Sequence, residues 1–336
     1  MADEHIQVLE FEKPLAELKK KIEELKTYAR DKNLNVDAEL KPLEERAGKM
    51  REEIYSNLNS WQTVQIMRHT KRPKTLDYVG LMIEDFQELH GDRAFADDKA
   101  MVGGIGKIDG ISVMIMGLQK GKDTKENLMR NFGMSQPEGY RKALRLMKYA
   151  EKFNLPVLTF IDTSGAYPGI EGEERGVAEA IARNLMEMSR LKVPIIVSVI
   201  GEGGSGGALG VGVGDRVLML KYATYSVISF EGCASILWKD ATKASEAARI
   251  LKPTAKHLLE LKVIDEIIDE PLEGAHKDYE FTANNLKTAI VRNLKELIGV
   301  PVEKLLEGRY SKFRNLGIFE RVETPSAVSG EDADNA

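Results

Sequence analysis

The sequence predicts an α/β protein in which helices cover a mostly parallel sheet, preceded by a hairpin of two helices. Residues 12–58 repeat apolar side chains every three or four positions, which is the period of an amphipathic helix. From about residue 100 to residue 220, short apolar runs alternate with helical patterns, as in proteins built on a parallel sheet. The chain has 336 residues and is 43% hydrophobic, so it can bury the large core that this fold requires.

The first predicted element is the helical hairpin. Its apolar positions are Leu15, Leu18, Ile22 and Leu25 and, after a polar break at 31–35, Val36, Leu40, Leu43, Ala47, Met50 and Ile54. Pro14 suits a first helical turn. We predict that residues 1–75 form a helical arm that packs against or docks onto a partner. Residues 76–322 should form the main domain, and the polar, acidic residues 323–336 a disordered tail.

A helix, a β-hairpin and a second helix come next. The positions that predict the first helix are Leu76, Val79, Ile83, Phe86 and Leu89. The apolar runs 101–108 and 111–118 are joined by Asp109-Gly110, a dipeptide that favours a two-residue hairpin turn because it tolerates positive φ. Ser135 and Glu138 have the spacing of a capping box and predict the start of the second helix.

Two units of strand, loop and helix follow. The predicted strands are 156–161, 193–200 and 217–220. Loop 163–172 follows the first strand, and a glycine-rich loop follows the second. Open α/β sheets bind ligands at the carboxyl ends of their strands, so we expect both loops to face one crevice. Beyond residue 244 the sequence predicts mainly helix.

Composition argues against several classes of protein. Lys and Arg total 48 against 53 for Asp and Glu, and the formal net charge of -5 gives no general attraction to nucleic acid or to anionic membranes. The single cysteine, Cys233, and the five scattered histidines do not form the pairs of a zinc ribbon, so we predict no metal site. No stretch approaches the ~20 apolar residues of a membrane span, and no apolar leader follows Met1. These features favour a cytoplasmic protein.

The glycine-rich loop is the strongest candidate for a functional site. Eight of the fourteen residues from 201 to 214 are glycine, although each interior glycine costs about 0.5–1 kcal/mol relative to alanine. This density indicates that the backbone itself is needed, since N–H groups without a neighbouring Cβ can approach a ligand closely. At the start of a helix those donors are unpaired, so the expected ligand is an anion or a developing oxyanion. Close packing of strand and helix is the alternative explanation.

The spacing of this loop fits several kinds of site. Residues 201–206 match the dinucleotide pattern GxGxxG, but 217–230 contain no acidic residue for a ribose, and no Lys-Ser or Lys-Thr pair completes a phosphate loop. Residues 203–207 match the GxSxG pattern of serine hydrolases, with Ser205 as nucleophile. Downstream candidates for its partners are Asp240, Asp265, His257 and His276. A backbone oxyanion hole needs no such partners, and spacing alone leaves the hydrolase and the oxyanion hole both open.

Two more segments border the predicted crevice. In loop 162–169, Gly165 and Ala166 can supply further backbone donors, whereas Asp162 is expected either to cap the turn or to take part in catalysis. A group of basic residues suits the phosphates of a substrate, and it comprises Lys120, Lys122, Lys125, Arg130 and Arg141. A solvated helix face explains these charges equally well.

An ordered set of motifs carries a family resemblance. They are 72–78, 91–94, 131–134, 137–145, 162–169, 201–209 and 231–238. In this order and at these separations they resemble the bacterial-type acetyl-CoA carboxylase carboxyltransferase alpha subunit, from about Phe11 to Tyr310. The resemblance implies a crotonase-like spiral of ββα units, so that 76–322 would be a crotonase-like carboxyltransferase domain behind the N-terminal helical hairpin arm.

The resemblance also implies an activity, the first committed step of fatty acid synthesis. This family moves a carboxyl group from carboxybiotin on a carrier protein to acetyl-CoA, which gives malonyl-CoA. The alpha chain is thought to hold the ureido oxygen of biotin, and that role would fall here to the N–H groups of Gly206, Gly207 and Ala208. Gly203 and Gly204 would bind substrate beside them. Deprotonated biotin is the implied base, so no side-chain base is expected.

Partners and cofactors follow from the same resemblance. It implies an alpha2-beta2 assembly with a beta subunit, contacts with biotin carboxylase and the biotin carboxyl carrier protein, and zinc only on the beta subunit. The sequence departs from the usual pattern at Leu118, where His is common, and at Ser164 and Phe230, where Pro is usual. None of these departures removes a predicted donor glycine, so substrate affinity is the property they are expected to affect.

Overall fold

The computed structural model describes residues 8–317. Its strands are β1 (Glu84–Glu88), β2 (Met101–Ile108), β3 (Ile111–Leu118), β4 (Val157–Thr163), β5 (Ile195–Gly204), β6 (Arg216–Leu220), β7 (Thr224–Ser226) and β8 (Glu266–Ile268). Its helices are α1 (Lys13–Lys32), α2 (Asp37–Ser56), α3 (Ser60–Met67), α4 (Thr75–Met82), α5 (Thr124–Met129), α6 (Pro137–Lys152), α7 (Ile170–Glu174), α8 (Val177–Ser189), α9 (Ser205–Leu209), α10 (Phe230–Trp238), α11 (Ala244–Leu251), α12 (Ala255–Glu260), α13 (Tyr279–Leu297) and α14 (Val302–Arg314). None of these helices combines the length and the apolar character of a membrane span. The predicted tail at 323–336 lies outside the described residues.

The strands form one sheet that is antiparallel at one end and parallel through the rest. Its order is β1-β2-β3-β4-β5-β6-β8, and β7 pairs with β5 beside this path. The pairs β1–β2 and β2–β3 are antiparallel, whereas β3 to β6 and β8 run parallel. The central strands β4 and β5 are apolar and almost wholly buried, as expected for strands with helices on both faces. The predicted mostly parallel sheet is therefore confirmed.

The β-hairpin has the predicted bounds. Strands β2 and β3 pair in register from Met101 opposite Leu118 to Ile108 opposite Ile111. Asp109 and Gly110 between them have φ values of 51° and 76°, the pair of positive angles that a type I′ turn requires. The local turn chemistry was thus sufficient to predict this element.

The hairpin turn provides a stability prediction. We expect Gly110→Ala to lower the free energy of unfolding by about 1–2 kcal/mol, because alanine would occupy the left-handed region. An added Cβ would meet no atom within 4 Å, so backbone strain is the cost being measured. Gly48→Ala is the matched control, since Gly48 is equally free of contacts but lies inside α2, where alanine should stabilise by about 0.5–1 kcal/mol. Urea denaturation of both variants should show effects of opposite sign, and effects of the same sign would contradict the explanation.

The predicted helical hairpin is confirmed as α1 and α2. Their apolar faces form a small core with residues of the main body, including Leu15, Ile22, Tyr55 and Tyr222. The Glu273 carboxylate accepts ion pairs from both helices, with Lys19 Nζ at 2.9 Å and Arg51 Nε at 3.0 Å. The arm is therefore bound to its own chain, and docking of this arm onto a partner subunit stays a prediction.

The helix predicted over 76–89 is wrong in its second half. Helix α4 ends at Met82, and residues Glu84–Glu88 form strand β1 instead. Asp85 has a φ of 53°, which a helix does not accommodate, and β1 pairs with β2. The apolar spacing fitted a helix, but pairing along the edge of the sheet determined the structure.

The predicted capping box before α6 is also wrong. Ser135 Oγ donates to Asp98 Oδ2 at 2.7 Å, and Glu138 Oε1 accepts from Arg175 Nε at 2.7 Å. Helix α6 has Gln136 as its N-cap and a proline in its first turn. Both predicted capping side chains are therefore used in contacts with distant segments.

Candidate active site

The two predicted loops meet at the carboxyl ends of β4 and β5. A Cβ on Gly204 would lie 2.2 Å from the carbonyl oxygen of Ser164, and a Cβ on Gly207 would lie 2.2 Å from the carbonyl carbon of Gly165. No side chain fits at either position, so glycine allows the two backbones to approach each other. Close packing, the alternative explanation for the glycines, therefore accounts for Gly204 and Gly207. Gly203 is also tightly packed, because its Cβ would lie 2.8 Å from the Tyr225 ring.

The first turn of α9 supplies backbone donors beside this contact. Ser205, Gly206 and Gly207 are its first three residues, whose N–H groups have no acceptor within the helix, whereas helical geometry directs the Ala208 N–H to the carbonyl of the N-cap residue, Gly204. Gly206 is half-buried, and the nearest atom to a Cβ there is Ile181 Cδ1 at 3.8 Å. Gly165 has no atom within 4 Å of its own Cβ position. The two loops are thus in contact where Gly207 meets Gly165 and Ala166, and the first turn of α9 is open at Gly206.

An apolar cavity of about 550 Å³ opens beside α9. Its rim includes Ser205 and Gly206, and its walls include Leu209, Tyr225 and Phe313. Burial raises the pKa of Tyr225 to about 12, so its hydroxyl is neutral at physiological pH. Sequence reasoning missed this cavity because its walls come from β7, α12 and α14, which no local pattern connects. The volume lies in the range typical of small-molecule sites.

A group of buried charges lies at the ends of β3, β4 and β5. Lys120 Nζ is 3.0 Å from Asp162 Oδ1 and 2.9 Å from Glu202 Oε2, and Lys74 Nζ is 3.8 Å from Asp162 Oδ2. Burial by itself would raise the pKa of the Asp162 carboxyl, but the Lys120 and Lys74 ammonium groups hold it below its ordinary value. We call Lys120, Asp162 and Glu202 the lysine clamp.

The prediction that Asp162 caps its own turn is wrong. Thr163 has that local role, since its Oγ1 donates to the Gly165 carbonyl at 2.7 Å and accepts from the Gly165 N–H at 3.2 Å. The Asp162 carboxylate instead accepts from the Glu202 backbone N–H at 3.0 Å. Asp162 therefore links the two strands that carry the glycine loops.

The other predicted basic contacts lie away from the glycine loops. Lys122 Nζ pairs with Asp77 Oδ1 at 2.5 Å, and Arg130 Nε pairs with Glu126 Oε1 at 2.8 Å. Both cations are therefore paired with carboxylates outside the glycine-rich loop. Contact of Lys120, Lys122 or Arg130 with a substrate phosphate stays a prediction.

The serine hydrolase alternative is not supported. Ser205 sits in a tight turn with a φ of 52°, as a nucleophile would, but each proposed partner is engaged elsewhere. His257 Nδ1 bonds with Thr254 Oγ1 at 2.9 Å, and the His276 ring stacks on His69 at 3.8 Å. Asp240 accepts from the Thr242 backbone N–H, and Asp265 accepts from the Val217 backbone N–H. The turn at Ser205 is therefore not accompanied by a catalytic triad formed with these His and Asp residues.

The three departures from the family pattern lie at different depths. Leu118 is fully buried at the end of β3, and Phe230 is buried at the start of α10, where its ring packs edge-on against Trp61. Ser164 contributes the carbonyl oxygen that abuts Gly204. Only Ser164 therefore touches the glycine loops directly.

Comparison with known proteins identifies the family. The sequence profile described as "Acetyl co-enzyme A carboxylase carboxyltransferase-like" matches residues 8–317. An acetyl-coenzyme A carboxylase carboxyl transferase subunit alpha from Methylococcus capsulatus is 56% identical over 95% of this chain and 99% of its own length. The protein of the same name from Geobacter metallireducens is 61% identical over 93% of this chain and 98% of its own length.

Solved structures with low sequence identity share the fold. A transcarboxylase 12S structure has a TM-score of 0.54 at 19% identity and covers 66% of this chain and 41% of that chain. A malonate decarboxylase heterodimer from Pseudomonas has a TM-score of 0.52 at 16% identity, covering 65% of this chain and 88% of that chain. These likenesses confirm the crotonase-like α/β fold. On the strength of the profile match and the sequence relatives, the chain belongs to the acetyl-CoA carboxylase carboxyltransferase alpha-subunit family.

Proposed function

We propose that this chain forms the biotin side of the carboxyltransferase site, with the N–H groups of Gly206, Gly207 and Ala208 as an oxyanion hole. The observation that carries the proposal is the first turn of α9, whose backbone lines an apolar cavity at Ser205 and Gly206 and is open at Gly206, where the nearest atom to a Cβ is Ile181 Cδ1 at 3.8 Å. Several backbone N–H groups can reach one oxygen only where no side chain stands between them and that oxygen. Fixed donors of this kind stabilise negative charge as it develops in the transition state.

The site residues fit the ureido ring and the apolar body of biotin. Backbone donors at Gly206 suit an oxygen that becomes negative, and the cavity beside them has apolar walls at Leu209 and Phe313. When bound, carboxybiotin supplies the carboxyl group and then the base that takes the acetyl proton. The task of this chain is to bind the ureido oxygen, to orient the ring and to exclude water with the cavity walls. Gly165 and Ala166 would border the donors at Gly207, which they contact.

A second group of proposals concerns the assembly. The family is named as a subunit, which implies a beta subunit, and we place acetyl-CoA and the single zinc on that partner in an alpha2-beta2 enzyme. The carrier protein would deliver biotin from biotin carboxylase to this site. A cytoplasmic enzyme of fatty acid synthesis accords with the formal net charge of -5 and the single buried cysteine.

Ser205→Ala tests the backbone proposal against the nucleophile. We expect the variant, assembled with its beta subunit, to turn over at nearly the wild-type rate, because the side-chain hydroxyl has no role in an oxyanion hole of N–H groups. Carboxyl transfer from malonyl-CoA to biocytin measures this, and a fluorophosphonate probe should leave the wild-type protein unlabelled. Stoichiometric labelling of Ser205, together with loss of activity in the alanine variant, would favour the hydrolase.

A further inference from the structure

We propose that Lys120 is a positioning residue. Its ammonium group holds the loop after Asp162 (163–169) and the loop after Glu202 (203–208) at the distance that the site requires. The lysine clamp joins the ends of three neighbouring strands, since Lys120 follows β3 closely, Asp162 lies near the end of β4 and Glu202 near the end of β5. Each carboxylate comes directly before one of the loops that meet at Gly207. This inference rests on the proposed role of those loops.

The sheet has an irregularity at this point. Ile161 pairs with Val199 and Thr163 pairs with Gly203, so that one residue of β4 lies opposite three residues of β5. An interruption of this kind breaks the regular ladder of backbone hydrogen bonds. Side-chain contacts must therefore fix the relative position of the ends of β4 and β5 where the backbone hydrogen bonds are interrupted.

Side chains fill the interruption. The Asp162 carboxylate accepts from the Glu202 N–H at 3.0 Å, and Arg72 Nε donates to the Ile200 carbonyl at 2.9 Å. Gly201 makes room for this arrangement, because a Cβ there would lie 2.4 Å from Asp162 Oδ1. The Lys120 ammonium then bridges the Asp162 and Glu202 carboxylates at 3.0 and 2.9 Å. This bridge is the one direct side-chain link from β3 to both carboxylates among the described residues.

The charges make the bridge tight. The exposed fractions of the Lys120, Asp162 and Glu202 side chains are 18%, 3% and 13%, so solvent screens their attraction weakly. Two further cations face the carboxylates at longer range, with Lys74 3.8 Å from Asp162 and Arg68 3.9 Å from Glu202. Removal of the Lys120 charge leaves two buried carboxylates facing each other without their shared partner. We expect them to move apart and to carry the two loops with them.

Lys120→Met in the complex with the beta subunit tests the clamp. We expect kcat for biotin-dependent transfer to fall on the order of a hundredfold, because a displacement of about 1 Å in a catalytic group has an effect of that size. The KM for acetyl-CoA should stay unchanged. Hydrogen exchange of the amides at 163–169 and 203–208 should become faster, while the hairpin of β2 and β3 keeps its protection.

The matched control is Lys142→Met. Lys142 on α6 is more deeply buried than Lys120 and bridges the Asp97 carboxylate and the Asp98 carbonyl, at 2.5 and 2.8 Å, so its loss removes a lysine bridge that does not link the clamp strands. This variant should lose stability without faster exchange in the two loops. Glu202→Gln is a milder test if Lys120→Met fails to fold, and it should show the same loop exchange and a smaller fall in kcat.

Three results would decide the matter. Unchanged loop exchange in both clamp variants overturns the clamp, whatever the activity. Faster loop exchange with unchanged kcat supports the clamp and overturns the proposed role of the glycine loops. A higher KM for acetyl-CoA with unchanged kcat and unchanged exchange would make Lys120 a phosphate contact, and this outcome also overturns the clamp.

Discussion

Gly207→Ala should lower kcat for biotin-dependent transfer by roughly a hundred- to a thousandfold, which corresponds to loss of one oxyanion donor, or ~2.7–4 kcal/mol. The added Cβ would lie 2.2 Å from the carbonyl carbon of Gly165 and 2.5 Å from the N atom of Ala166. Both contacts are backbone atoms that cannot rotate away, so the N–H of residue 207 must move. In the proposed division of the site the beta subunit holds that thioester, so the KM for acetyl-CoA should change little, and steady-state kinetics of the assembled enzyme separates the two effects.

A matched control is available in the same glycine-rich segment. A Cβ on Gly214 would lie 2.8 Å from Val197 Cγ2 and 3.0 Å from the Ile195 carbonyl oxygen, which are core contacts beyond α9. Gly214→Ala should therefore lower stability and leave kcat of the folded enzyme close to wild type. If Gly207→Ala assembles with its partner and also turns over at the wild-type rate, the oxyanion assignment is wrong and the glycine serves packing alone.

Local signals explain how much of the fold could be predicted. Asp109-Gly110 specifies its own turn, so the bounds of β2 and β3 were predictable from the sequence. Strand β1 was not, because residues 84–88 carry a helical spacing and become a strand only by pairing with β2. Periodicity therefore gave the wrong structure for β1, whose conformation depends on a strand distant in the sequence.

The same distinction applies to the site. Glycine density pointed to the segment that contains Gly206 and Gly207, and the meeting of parallel strand ends placed the 163–169 loop beside it. The lysine clamp escaped prediction because Lys120 and Glu202 are 82 positions apart, and each charge alone is typical of a solvated surface. Asp162 was assigned to a turn cap for the same reason. Its actual partner, the Glu202 backbone N–H, is distant in sequence and is available because the pairing of β4 and β5 is interrupted there.

The chain without its beta subunit should have carboxyltransferase activity at least about a hundred- to a thousandfold below that of the assembled enzyme, since loss of a single oxyanion donor already costs that much. In the proposed site, this chain provides donors for one of the two oxygens that become negative, and the enolate of acetyl-CoA needs the second set. Among residues 8–317 no group of three His, Cys, Asp or Glu side chains could hold a metal, so we also expect no stoichiometric zinc. Malonyl-CoA:biocytin transfer and metal analysis measure the two quantities.

The informative comparison is the isolated chain against the same preparation titrated with purified beta subunit. If the missing oxyanion hole is the cause, activity should rise in proportion to beta subunit until the chains are matched, and the Gly207→Ala chain should bind the partner equally well but plateau far lower. Zinc should appear only in proportion to beta subunit. Full malonyl-CoA decarboxylation by the isolated chain, or one tightly bound zinc per chain, would contradict the division of the site between two subunits, because every donor would then have to come from this chain.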